Sequence, residues 1–242
     1  MQYQAQVHYL GNTRSSYQRD HLLLTPDTFV RAPLPGMRGA TAIVHVSPAV
    51  GAGFTQYTAE FERHGGLGSP RGERFLYVMD GELRIEGRLL GPQEFAYLPA
   101  GHDVPITAED RAVASVIEKP YRELEGVKLP VPFFGDEREV EGKPLQDDHD
   151  LEVRGLIPDN PSFDFAVNTM TYQPGATLPM VEIHVMEHGL VMLEGGGIYR
   201  LGDHWYPVTA GDFIWMAPYC PQWFGALGKK PAKYLIYKDW NR

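Results

Sequence analysis

Apolar residues along this chain come in short runs closed by glycine and proline, without low-complexity tracts. Phe75-Leu-Tyr-Val-Met-Asp-Gly81, followed by Gly91-Pro-Gln-Glu-Phe-Ala-Tyr-Leu-Pro99, is echoed by Leu190-Val-Met-Leu-Glu-Gly195, followed by Gly211-Asp-Phe-Ile-Trp-Met-Ala-Pro218. Each half gives a strand ending in Gly, a hairpin, a Gly turn, another apolar strand and then Pro. That duplication predicts an all-β chain of two similar barrels rather than one large sheet. The first barrel is expected over 1–120 and the second over 151–242, with a linker over 121–150. The linker reading rests on Pro and charge, including Asp136-Glu137-Arg138-Glu139 and Asp147-Asp148-His149-Asp150.

One stretch carries chemistry. Between Gly175 and Gly195, Glu182, His184 and His188 stand at even spacings in an apolar, strand-like frame. Strand side chains alternate, so the spacing predicts three metal-capable groups on one face of a sheet. Imidazole and carboxylate suit a hard or borderline divalent ion, with positions left open for water or substrate.

Composition narrows the partners. A chain of 242 residues, 43% hydrophobic, can bury a full core. A net charge of -9 argues against a nucleic-acid groove or an anionic membrane surface. Neither a basic-then-apolar leader nor a span of membrane length is present, and Cys220 is the single cysteine. A cytoplasmic protein without an internal disulfide is therefore expected, Cys220 being notable for its closeness to a candidate ligand.

These residues resemble the cupins. Gly175, Glu182-x-His184-x-x-x-His188 and Gly195 resemble the first cupin motif, with Glu182 at the usual first His and His188 at the usual Glu. Gly211 through Pro218 to Gln222 resembles the second, with Gln222 in place of the last His. The permuted set Glu, His, His, Gln is similar to that of the (S)-ureidoglycine aminohydrolases. Leu23-Leu-Thr-Pro-Asp27, Pro35-Gly36, Phe75-Leu-Tyr-Val78 and Tyr237-Lys-Asp-Trp-Asn-Arg242 extend the likeness over nearly the whole chain.

The resemblance implies a bicupin of two tandem double-stranded β-helix (jelly-roll-like) barrels. It further implies a manganese-dependent hydrolase that converts ureidoglycine to ureidoglycolate and ammonia. Carried onto this chain, Glu182, His184, His188 and Gln222 hold Mn2+, and Tyr199, Tyr234 and Lys238 contact the small-molecule substrate. The general acid or base is unassigned. With one anionic ligand, a divalent ion keeps a net positive charge that attracts a carboxylate and amine. Extra arms at both ends suit strand exchange, so a homo-oligomer is expected. The rival readings are a cupin dioxygenase or isomerase acting on another small acid, and a non-catalytic ligand-binding bicupin.

Other polar residues read as ordinary. Glu187 and Glu194 read as solvated or turn residues, and Asp203 and His204 as an exposed hairpin. His64, Glu73 and His102 lack the motif, and Arg74 stands where its Glu would fall before Gly81, so the first barrel is expected to lack metal.

Overall fold

The computed structural model describes residues 12–239. These residues are built from β-strands and three single-turn 3-10 segments. None of their helices is long and apolar enough to cross a membrane. The all-β architecture follows from strands that are apolar on both faces. In Glu73–Asp80, Phe75 and Tyr77 enter one core while Leu76 and Val78 enter another. Phe213–Met216 does the same, with Phe213 and Trp215 on one side and Ile214 and Met216 on the other.

Three cores result. One fills the first barrel, one fills the second, and the third, holding Phe54, Phe75, Tyr97, Phe165, Phe213 and Tyr237, lies where the two barrels join. This explains why Phe75-Leu-Tyr-Val and Phe213-Ile-Trp-Met read as continuous apolar runs rather than alternating ones.

The first barrel is one ten-stranded sheet; the second combines an eight-stranded sheet with a four-stranded one. The repeat seen in the sequence is real in the backbone. Gly81 and Gly195 both turn with φ near the left-handed region, at 70° and 64°. At each, a Cβ would strike the chain just before a long closing strand: the Arg111 carbonyl and Ala112 at Gly81, the Pro231 carbonyl and Ala232 at Gly195. Strands Ala112–Lys119 and Ala232–Asp239 are therefore counterparts.

The sheets do not follow the boundaries expected from sequence. Strands Ser16–Tyr17 and His21–Leu24 join the second barrel's eight-stranded sheet, with His21 opposite Met216 and Leu24 opposite Phe213. Arg14 clamps the arm in place, bonding both carboxylate oxygens of the buried Asp212. The expected linker, 121–150, packs on both barrels. Phe133–Asp136 pairs with Glu94–Leu98 of the first barrel, and Lys143–Leu145 pairs with Asp148–Gly155 of the second. Within the charged run Asp136-Glu137-Arg138-Glu139, Glu137 turns inward and is buried.

Buried ionic groups cross the junction. Lys119 lies 3.1 Å from Asp164 and 2.8 Å from Asp239. Beside them, Glu73 accepts a 2.5 Å hydrogen bond from the Tyr97 hydroxyl at Oε2. Its Oε1 and the Oδ1 of Asp164 are buried with no donor available, and the two carboxyl groups interact. A proton held between them satisfies both. Burial, with the Asp164 charge, pushes the Glu73 carboxyl up to about 9, while Asp164 is lowered.

The sign is fixed by linkage. From the ordinary Glu value of 4.5 up to about 9 the folded chain holds a proton that the unfolded chain releases, so this group erodes stability as pH rises. Glu73→Gln supplies a permanent donor to Asp164 and an acceptor to Tyr97. Melting curves at pH 6 and 9 are expected to show the variant keeping several degrees that the wild type loses; parallel losses in both would remove the shared proton.

Candidate active site

Glu182, His184, His188 and Gln222 converge, but not on one face of one strand. Glu182 lies on the short strand Glu182–Ile183 of the four-stranded sheet, directly opposite Gln222 on Pro221–Ala226. The chain then bends at Val185 and Met186, and His188 opens His188–Glu194 in the eight-stranded sheet. The three residues thus meet across the barrel interior instead of along a single face.

The bend has a visible cause in Glu187, which is buried rather than solvated. Its carboxylate accepts from the Gly53 backbone N–H at 2.8 Å and from the Trp215 indole at 3.0 Å. Burial raises its pKa, an effect opposed by those two hydrogen bonds. A Cβ at Gly53 would lie 2.7 Å from Glu187 Oε1, so a larger residue there would displace that carboxylate. Glu187 ties the ligand-bearing loop to the first barrel. By contrast, Glu194, Asp203 and His204 are exposed as expected.

A cavity of about 220 Å³ gathers all seven residues anticipated from sequence: Glu182, His184, His188, Tyr199, Gln222, Tyr234 and Lys238. Lys238 stands opposite His188 across the sheet, and Tyr234 stands opposite Met192 and Met170. The size suits a molecule of amino-acid scale beside an ion, not a nucleotide. Leu145 and Gln146, from a hairpin that starts inside the expected linker, also line it; no motif in the sequence pointed to them. Wider concavities lie over the first barrel, such as one of about 730 Å³ between Glu60, Glu62 and Arg111, but they hold no comparable donor set.

Hydrogen bonds string these groups together. The His184 and His188 rings lie 4.9 Å apart. Gln222 Nε2 lies 2.8 Å from His184 Nδ1, and His184 Nε2 lies 3.5 Å from a Glu182 oxygen. Tyr199 donates to Gln222 Oε1 at 3.3 Å. His188 Nε2 is buried with no partner. Burial drives the His188 pKa well below the ordinary value, with His184 and Lys238 adding to the effect, and burial also lowers His184. Both imidazoles are neutral at pH 7 and can offer lone pairs without first losing a proton. An orphaned imidazole nitrogen, a second neutral imidazole, a carboxylate and an amide oxygen fit a hard or borderline divalent ion.

Other metal-capable groups do not compete. Asp20, His21 and Cys220 bring ligand atoms within 4.8 Å of one another, closer than the Glu182 set. Yet His21 already bonds Asp20 at Nδ1 (2.8 Å) and the Tyr206 hydroxyl at Nε2 (2.9 Å). Burial pushes the Cys220 thiol up to about 12, so it offers no thiolate. In the first barrel, His64 is exposed, His102 pairs with Glu86, and Glu73 belongs to the junction.

Arg74 proves the most telling residue there. It precedes Gly81 by the same interval as His188 precedes Gly195, and it faces Glu118 as His188 faces Lys238. A buried Arg74–Glu118 pair at 2.6 Å, joined by the Tyr57 hydroxyl at 2.9 Å, fills that position with its own neutralised charge.

Comparison with known proteins shows the family of the chain. The cupin domain family model matches residues 168–237, which hold the cavity strands. Over 96% of its length the chain is 40% identical to a probable (S)-ureidoglycine aminohydrolase of Oryza sativa subsp. japonica, covering 77% of that protein. It is 39% identical, also over 96%, to the (S)-ureidoglycine aminohydrolase of Arabidopsis thaliana, covering 80% of it. The crystal structure of a putative glyoxylate induced protein from Pseudomonas aeruginosa superposes with a TM-score of 0.86 at 29% identity, over 95% of this chain and 92% of that one. With its duplicated barrels and near full-length kinship to these enzymes, the chain belongs to the (S)-ureidoglycine aminohydrolase family of cupin proteins.

Proposed function

We propose that this protein is a manganese-dependent (S)-ureidoglycine aminohydrolase, converting ureidoglycine and water to ureidoglycolate and ammonia. The observation that carries the reading is the meeting of Glu182, His184, His188, Gln222, Tyr199, Tyr234 and Lys238 in one small cavity of a chain from this family. Glu182, His184, His188 and Gln222 are the proposed ligands. A divalent ion bound there supplies localised positive charge that anchors the substrate and stabilises charge developing as the amine departs.

The chain's own groups do the orienting. Lys238 is the cation available to the substrate carboxylate; burial lowers its pKa, and the Glu182 charge opposes that effect. The Tyr199 and Tyr234 hydroxyls are buried, and burial raises both pKa values well above the ordinary one. They act as neutral hydrogen-bonding groups for the ureido moiety, not as bases. Water's oxygen forms the new bond to the substrate carbon as the carbon–nitrogen bond breaks, and nitrogen leaves with a proton as ammonia. Holding the substrate rigidly confines water to one face.

The Arg74–Glu118 pair supports a first barrel without metal. A homo-oligomer belongs to the same proposal, supported by exposed apolar Met180, Val181, Ile183 and Val185, which alternate with Glu182 and His184. The single cysteine is compatible with the reducing compartment of the proposed cytoplasmic action.

The test is ammonia release from freshly made (S)-ureidoglycine, with spontaneous decay subtracted. Manganese-loaded protein should turn over without oxygen, chelated protein should not, and Lys238→Ala should keep its metal while kcat/KM falls about 10- to 100-fold. No release above decay by folded, metal-loaded protein would overturn the reading.

A further inference from the structure

A third buried phenol, Tyr172, stands outside the cavity lining and communicates with it through Tyr234. It ends strand Phe165–Tyr172 opposite Ala232, so Tyr234, two residues on, is its diagonal neighbour on the same face. The two hydroxyl oxygens are 2.8 Å apart and the rings 5.6 Å. Phe224 packs edge-on against both, at 4.8 and 5.8 Å. Tyr172, Tyr234 and Phe224 are each no more than 2% exposed, so protein groups must satisfy these oxygens.

Either hydroxyl can donate across this contact, and the acceptors within reach favour one direction. A phenol carries one proton and accepts through its lone pairs. A buried O–H without an acceptor costs more than a spare lone pair. The Tyr234 oxygen is the hydrogen-bond partner of Tyr172 among the described residues, so Tyr172 donates to it. Tyr199 sends its own proton to Gln222. Tyr234 lines the cavity and Tyr172 does not, so with Tyr172 donating to it the Tyr234 proton is the one left for an acceptor bound in the cavity.

We propose that Tyr172 is a positioning residue that fixes Tyr234 as a donor aimed into the cavity, so that the site selects an oxygen acceptor of a ureido acid at that point. The idea rests on the ureidoglycine reading and adds a specificity element to it. An N–H group presented to Tyr234 shares its oxygen with Tyr172, whereas a carbonyl or carboxylate oxygen meets a donor oriented in advance.

The test is a double-mutant cycle on manganese-loaded protein. N-carbamoylglycine serves as the probe, because it keeps the ureido and acid groups and lacks the leaving amine. Calorimetric Kd values are compared for wild type, Tyr172→Phe, Tyr234→Phe and the double variant. Tyr172→Phe removes one oxygen and leaves the packing on Phe224, and metal content and melting temperature are measured on every protein. Tyr172→Phe should weaken binding about tenfold in the wild-type background and have no effect once Tyr234 is Phe.

The same pattern is expected in kcat/KM for ammonia release. Equal weakening in both backgrounds, the signature of a packing role, would overturn the proposal, as would no weakening at all. A wild type that turns over ureidoglycine while the substitutions act additively removes the Tyr172 role alone. A wild type that neither binds the probe nor releases ammonia removes the functional reading and this role together.

Discussion

Glu182→Gln is expected to strip the protein of manganese and lower kcat/KM for ureidoglycine by about 10³-fold or more, while the fold is retained. The size follows from what a metal contributes to stabilising charge in a transition state, several kcal/mol. Glutamine keeps the volume and the hydrogen-bonding oxygen but removes the sole anionic member of the donor set. His184, His188 and Gln222 are neutral, and nothing else lining the cavity carries negative charge. The fold should survive because the recorded side-chain contact of Glu182 is a loose 3.5 Å approach to His184. Metal analysis and a melting curve on the same sample separate the two effects. A Glu182→Gln protein that keeps a full equivalent of manganese and a tenth of wild-type turnover would remove Glu182 from the ligand set.

The largest loss of stability is expected at a residue outside the cavity lining, in Glu137→Ala. This carboxylate, 3% exposed, accepts from the Tyr77 hydroxyl at 2.5 Å and the Thr169 hydroxyl at 2.7 Å, and it pairs with Lys233 at 2.7 Å. Tyr77 belongs to the first barrel, Thr169 and Lys233 to the second. Truncation leaves a largely buried ammonium and two hydroxyls unsatisfied, and breaking such a pair costs about 3–5 kcal/mol. For a chain of this length that corresponds to a melting temperature lower by roughly 10 °C. Adding Lys233→Met should recover part of the loss, because the cost comes from the stranded charge. A single variant within about 1 kcal/mol of wild type in denaturant titration would remove Glu137 as a tie between the barrels.

How legible these features were depends on the reach of the forces behind them. The repeat was readable because Gly81 and Gly195 answer a local demand, a left-handed turn pressed against another strand, and such demands leave glycines in place. The cavity residues were readable through their likeness to a known motif. Spacing alone predicted one face and missed the corner, since nothing local announces that Glu187 reaches Gly53. Glu137 sat in a charged run, and charged runs are normally solvated; its partners Tyr77, Thr169 and Lys233 are all remote in sequence. Tyr172 looks like any core aromatic, because its hydroxyl partner lies 62 residues on. Arg74 was noticed as a departure from the motif, but only the register with Glu118 explains what occupies the vacant role.

The arm at residues 14–24 bears on how the chain assembles as it is made. Its strand His21–Leu24 leaves the ribosome early, yet the strand it pairs with, Phe213–Met216, follows nearly the whole of both barrels. That strand in turn flanks His188–Glu194, which carries a proposed ligand. The second barrel's sheet thus cannot acquire its outer strands until Phe213–Met216 has emerged, and closing so long a loop slows that step. During that interval the apolar segment Leu22-Leu23-Leu24 and the open edge of Phe213–Met216 lack each other's protection. Aggregation of the nascent chain, rather than weakness of the finished molecule, is the hazard this topology creates, and chaperone demand during expression should track the arm's occupancy.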